Sequence, residues 1–160
     1  MDEVQSKQGG ARVAVPPPLV FLGALLAGVA LDRLVARWTL PGDAVARVAV
    51  AGLTIGGGLA LGWSAIRLFH RTGQDPKPWQ PTPELVFEGP YRFTRNPMYV
   101  GMTLLTIGLG AAAGTLWTLP LALAALGAVH VLAVLPEERY LIAKFGEPYR
   151  KYQARVRRYL

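Results

Sequence analysis

The chain has 160 residues, 52% of them hydrophobic, with 17 Lys and Arg against 10 Asp and Glu and no cysteine. That apolar share in one domain's length is not that of a water-soluble domain, and the lack of cysteine excludes disulfides, thiolate nucleophiles and cysteine-based metal sites. His70 and His130 are the two imidazoles, and no His, Asp and Glu spacing resembles a metal site.

The leader mixes Asp2 and Glu3 with Lys7 and Arg12, and no small-residue cleavage site follows cleanly, so a retained first span is expected in place of a secretory signal. Pro16, Pro17 and Pro18 pre-set a helix start, where missing N–H groups cost little. Four apolar stretches follow, from Leu19 to Ala36, Val48 to Ile66, Met98 to Ala113 and Leu116 to Leu135. Each approaches the length of a spanning helix, roughly 17–25 residues. The reading is an all-α polytopic membrane protein with four transmembrane helices, at about 17–37, 45–69, 97–113 and 116–135. Pro41 and Gly42 make a short turn after the first span, Asp32 and Arg33 could pair near that boundary, and Trp38, Trp63 and Trp117 read as anchors or packing residues.

Within the second span, Gly52, Gly56, Gly57, Gly58 and Gly62 include small-xxx-small pairs that let a neighbouring helix approach. Such pairs serve intrachain and interchain packing equally, so the oligomeric state stays open. Between spans two and three lies a connector containing Pro76, Pro78, Pro81, Pro83 and Pro90, too long for a simple turn and unable to form a regular helix. Its Trp79, Leu85, Val86 and Phe87 are apolar anchors suited to folding back onto the membrane.

At the start of span three stands GPYRFTRNPMYVG, residues 89–101. Charge and irregular backbone at a membrane boundary are costly unless something binds there. A very short turn at Gly114 and Thr115 makes spans three and four a hairpin. Pro136 interrupts the last span, and Glu137 and Glu138 begin a new helix, where the dipole favours carboxylates. Leu141, Phe145, Tyr149, Tyr152 and Val156 then recur at helical spacing among basic residues, an amphipathic C-terminal helix suited to the membrane surface.

Four spans put the N-terminus, the connector and the tail on one side, with 14 of the basic residues against 3 on the other. The positive-inside rule makes the richer side cytoplasmic, with both termini there. Because the basic residues flank spans, the charge implies anionic lipid headgroups as partners and argues against nucleic acid. The hairpin also brings residues 89–101 beside Glu137 and Glu138 on the cytoplasmic side, around a pocket suited to a ligand with a positive charge, a carboxylate and a flat ring.

G-P-Y-R-x-x-R-N-P-M-Y-x-G, followed by P-E-E-R-x-L-x-x-x-F-G-x-x-Y-x-x-Y, resembles the isoprenylcysteine carboxyl methyltransferase and phospholipid N-methyltransferase superfamily, over roughly residues 80–158. The resemblance implies an integral membrane enzyme, not a Rossmann methyltransferase, with S-adenosylmethionine as cofactor and a lipidic or small apolar methyl acceptor bearing a carboxylate, amine or thiol. It implies cofactor contacts from Pro83, Glu84, Leu85, Val86, Tyr91, Asn96, Pro97, Met98, Tyr99 and Glu137, with Arg92 or Arg95 for the cofactor's carboxylate. Glu138 joins this set as the neighbour of Glu137, and it could instead face water. Arg92 and Arg95 could equally be headgroup snorkellers. Many members carry His where Asn96 stands, and prenylcysteine enzymes carry Arg where Ala133 stands, which argues against recognition of a prenylcysteine carboxylate.

His130, seven residues before Glu137 and on nearly the same helical face, is the one candidate base within a span, and could equally be structural. Arg95 is the other candidate for a catalytic role. The alternative from a different class is a small four-span transporter or a non-catalytic membrane scaffold. A transporter of that kind places an acidic residue mid-span; spans two to four hold none, and Asp32 lies near a boundary.

Overall fold

The computed structural model describes residues 11, 13, 15–73, 75, 77 and 79–159. The leader residues Asp2, Glu3, Lys7 and Arg12 and the connector residues Pro76 and Pro78 lie outside the described residues. Everything regular among those described is helical, and the one β-bridge joins Thr94 to Arg157.

Helix α1 spans Pro17–Leu34 and α2 spans Ala44–Arg71. Each starts as its sequence dictates: α1 behind Pro16 with proline in its first turn, α2 behind Asp43, whose carboxylate accepts from the Ala46 N–H at 2.8 Å. A turn of 3₁₀-helix, Gly89–Arg92, precedes α3, Pro97–Ala112. Helix α4, Thr118–Val129, continues through a π-helical turn, His130–Val134, into α5, Leu135–Phe145. After Gly146 at φ +60°, α6 runs over Glu147–Arg155.

Among the described residues, three helical stretches are long and apolar enough to cross a membrane: Pro17–Leu34, Ala44–Arg71 and the continuous Thr118–Phe145. The fourth apolar helix, α3, has 16 residues and rises about 24 Å at 1.5 Å per residue. The chain is an integral membrane protein by these helices, and its many exposed leucines and valines (Leu34, Val45, Leu53) suit contact with lipid.

Two helix pairs set the bundle. α3 lies along α2, where a Cβ on Gly58 would sit 2.7 Å from the Gly101 carbonyl oxygen and one on Gly101 would sit 2.9 Å from that of Gly58. The glycines are there because the two backbones touch, and of the five expected in span two Gly58 and Gly62 make this approach. α1 packs on α4, with Phe21 in a cluster with Tyr99, Ala125, Val129, Ala133 and Val134. At the end away from residues 89–101, Asp32 accepts from the Trp38 N–H at 3.0 Å, and Trp117 Nε1 donates to the Ala36 carbonyl at 2.8 Å. The Trp38 and Trp117 rings meet edge-on at 5.1 Å, locking the two short turns together. Asp32 is thus engaged by backbone, and Arg33 is exposed.

One expectation changes in form. Pro136 does not end the fourth span. It has no N–H to give the Leu132 carbonyl and its ring would strike that group in an α-helix. The preceding π turn, closed by the Leu135 N–H bonding to the His130 carbonyl, widens the coil and the helix passes through.

Candidate functional site

The boundary segment is held from three directions. Gly89, at φ +55°, turns the chain into the 3₁₀ turn, so that Tyr91 faces inward, 7% exposed. Its carbonyl accepts from Tyr152 Oη at 2.7 Å, and its ring meets that of Phe69 at 5.7 Å. Asn96 ends the irregular stretch, Pro97 starts α3 where no N–H is needed, and Tyr99 follows on the inner face. From the hairpin's other arm comes Glu137, which accepts a 2.5 Å hydrogen bond from Tyr99 Oη.

Around this pair opens a cleft walled by the connector, the boundary segment and the ends of α2, α5 and α6. The connector supplies Glu84, Leu85 and Val86, the boundary segment Tyr91, Arg95, Asn96, Pro97, Met98 and Tyr99, and α5 Glu137, Tyr140 and Leu141. Phe69 from the end of α2 and Tyr149 and Tyr152 from α6 complete the wall. The connector is tied across it by the Thr82 N–H, which donates to Tyr140 Oη at 3.2 Å, and by Phe87 against Tyr152 at 4.8 Å.

Three polar atoms in this wall are buried without a hydrogen-bond partner among the described residues: Tyr91 Oη and Arg95 Nε and Nη1. Orphans of this kind are expensive unless a ligand meets them. Burial pushes the Tyr91 phenol well above its ordinary value, with the Glu137 charge adding to it. It raises Tyr149 as well, and Tyr152 is pushed up to about 12 by burial against the opposing Arg95 charge. These three phenols therefore stay protonated at neutral pH, and Tyr152 spends its proton on the Tyr91 carbonyl.

The sequence profile of the phospholipid methyltransferase family matches residues 46–148. The chain belongs to that family. No curated protein and no solved structure matches it. The matched region holds the cleft's walls from α2, the connector, α3 and α5; Tyr149, Tyr152 and everything after them lie beyond it.

For this member of the phospholipid methyltransferase family, the anticipated site residues separate by position. Glu84, Leu85, Val86, Tyr91, Arg95, Asn96, Pro97, Met98, Tyr99 and Glu137 line the one cleft. Pro83 is exposed at its edge, outside the lining. Arg92 is exposed and turned away, in keeping with a headgroup contact. Glu138 does not face water. It is buried behind the cleft wall, with Arg158 Nε and Nη2 donating to its two oxygens at 3.0 and 2.8 Å and Arg95 Nη1 ion-paired with Oε1 at 3.2 Å.

Nor does His130 reach the cleft. The π turn inserts about one residue between it and Glu137, rotating the two apart by about a third of a turn. Its Nδ1 lies 3.0 Å from Tyr159 Oη. Asn96 lines the cleft yet spends its side-chain N–H on the Arg158 carbonyl at 2.9 Å. The cleft residues not anticipated from the sequence are the aromatic Phe69, Tyr140, Tyr149 and Tyr152, together with Asp75, Lys77, Thr82 and Leu141. The spacing of Tyr149 and Tyr152 is that of any amphipathic helix; their place in the cleft wall needs the fold.

Proposed function

We propose that the chain transfers the methyl group of S-adenosylmethionine to a lipidic or small apolar acceptor, with the cofactor seated in the cleft between the connector, the boundary segment and Glu137. The observation that carries this reading is the convergence in one cleft of a carboxylate, two buried residues with polar atoms that lack a hydrogen-bond partner (Tyr91 and Arg95), and a set of aromatic faces. Those groups match the cofactor's parts. Glu137 suits its ammonium, Arg95 its carboxylate, and the rings of Tyr91, Tyr99, Tyr149 and Tyr152 suit a sulfonium or an adenine.

When bound, the cofactor supplies an electrophilic methyl carbon on sulfur for in-line displacement by the acceptor. The protein's part is alignment and exclusion of water. Tyr99 holds the Glu137 carboxylate in one orientation through its hydroxyl. The connector, pinned at Thr82 and Phe87, shields the cleft. A carboxylate acceptor needs no base, whereas an amine or thiol must first lose a proton. Ala133, fully buried where prenylcysteine enzymes have arginine, leaves no cation for a prenylcysteine carboxylate and favours acceptors recognised by other means.

In this reading α3 is the fourth crossing despite its length. The connector, both termini and the cleft are cytoplasmic, with the basic residues at anionic headgroups. Calorimetry with S-adenosylhomocysteine tests the reading: saturable binding is expected, weakened on the order of tenfold or more by Glu137→Gln. Absence of binding by folded protein in detergent would sink it. Labelled cofactor incubated with a membrane extract would then identify the acceptor.

A further inference from the structure

The last described residues form a strap across the base of the cleft. The Arg157 carbonyl accepts from the Arg95 N–H at 2.9 Å, and the Arg158 carbonyl accepts from Thr94 Oγ1 at 3.1 Å and Asn96 Nδ2 at 2.9 Å. Tyr159 meets His130. The strap residues lie outside the family profile's residues 46–148, and their partners Thr94, Arg95, Asn96 and His130 lie inside it.

The strap's side chains do more than hold backbone. Glu138 stands between two guanidinium groups. Arg158 grips both of its oxygens in fork geometry, at 3.0 and 2.8 Å. Arg95 is left with a single 3.2 Å ion pair through Nη1, without hydrogen-bond geometry, although its side chain is only 9% exposed. Two cations thus share one carboxylate, and the buried cation that faces the cleft is the undersatisfied one. Without Arg158, the Glu138 carboxylate would be free to take Arg95 bidentately and withdraw it from the cleft.

We infer that Arg158 is a positioning residue: by occupying Glu138 it keeps the Arg95 guanidinium available in the cleft for an oxyanion of the bound ligand. This rests on the proposed function for the cleft's occupant. The shared chemistry is an oxyanion, either the carboxylate of the cofactor's amino-acid arm or the phosphate of a lipid acceptor.

The test compares wild type, Arg158→Ala, Arg95→Ala and the double variant, each checked for a retained melting transition. The probes are S-adenosylhomocysteine, 5′-methylthioadenosine (which lacks the carboxylate arm) and phosphatidylethanolamine in nanodiscs. If the carboxylate is the source, Arg158→Ala weakens S-adenosylhomocysteine on the order of tenfold, leaves methylthioadenosine unchanged, and adds nothing in the Arg95→Ala background. Arg158→Lys, which cannot fork, recovers only part of the loss. If the phosphate is the source, the same non-additive pattern appears with the phospholipid alone. Additive losses, equal weakening of methylthioadenosine, or no change with any probe would overturn the inference, since a merely structural strap acts independently of Arg95. Wild-type protein that binds neither nucleoside would instead count against the proposed cofactor.

Discussion

Glu137 and Glu138 are adjacent in sequence and opposite in employment. Glu137 faces the cleft on a single tyrosine hydroxyl, while Glu138 is enclosed by guanidinium groups. Their variants should separate accordingly. Glu138→Ala leaves Arg95 buried without a counter-charge and is expected to cost about 3–5 kcal/mol of stability, read as a lowered melting temperature by tryptophan fluorescence. Glu137→Gln should melt close to wild type and show its defect in cofactor binding. Tyr99→Phe tests the same hierarchy from the other side. It removes the hydrogen bond orienting Glu137, worth about 1.5–3 kcal/mol for a charged acceptor, so affinity for S-adenosylhomocysteine should fall roughly tenfold; an unchanged affinity would mean that the carboxylate needs no orienting partner.

At the scale of elements, what could be read in advance followed hydropathy. The apolar runs appear as helices, and the hairpin of α3 and α4 follows from the short connection around Gly114 and Thr115, residues 113–117. Pro136 reads as an interruption, and the helix does change there, through a π turn into a new helix with Glu137 and Glu138 in its first turn; the sequence displays the lost hydrogen bond and the ring clash and hides the wider turn that relieves both. That turn rotates His130 from the face expected of it. The strap was invisible for a different reason, since Arg157, Arg158 and Tyr159 look like any basic tail and their partners lie about 20–60 residues earlier, at His130, Glu138, Thr94 and Asn96. Two substitutions probe these elements. Gly101→Ala forces a methyl group against the Gly58 carbonyl and should cost about 1–3 kcal/mol, whereas Gly52→Ala, with open space around its Cβ position, should be neutral or stabilising by up to about 1 kcal/mol; thermal melts of the pair in one detergent decide. Pro136→Ala restores an N–H and removes the ring that the π turn accommodates. Helix content by circular dichroism should hold or rise while S-adenosylhomocysteine binding falls, because relaxing the turn rotates Glu137 relative to Tyr99.

For the whole molecule, the count of crossings can be tested directly, because the chain has no cysteine to interfere with labelling. Thr39 lies in the turn between α1 and α2 and Ala154 on α6, and both are exposed. With four crossings, Thr39→Cys and Ala154→Cys react with a membrane-impermeant maleimide from opposite faces of sealed vesicles; labelling from the same face would mean that α3 does not cross. The short α3 has a further consequence under the proposed four-crossing reading. A helix rising about 24 Å, if it crosses hydrocarbon about 30 Å deep, is met by local thinning of the bilayer, by snorkelling of its flanking residues or by association, at fractions of a kcal/mol per ångström. The Tyr99–Glu137 pair stands at the start of that helix. Under thinning, the proposed turnover should respond to the thickness of the host membrane as well as to the chemistry of the acceptor, and equal rates in thin and thick bilayers would count against it.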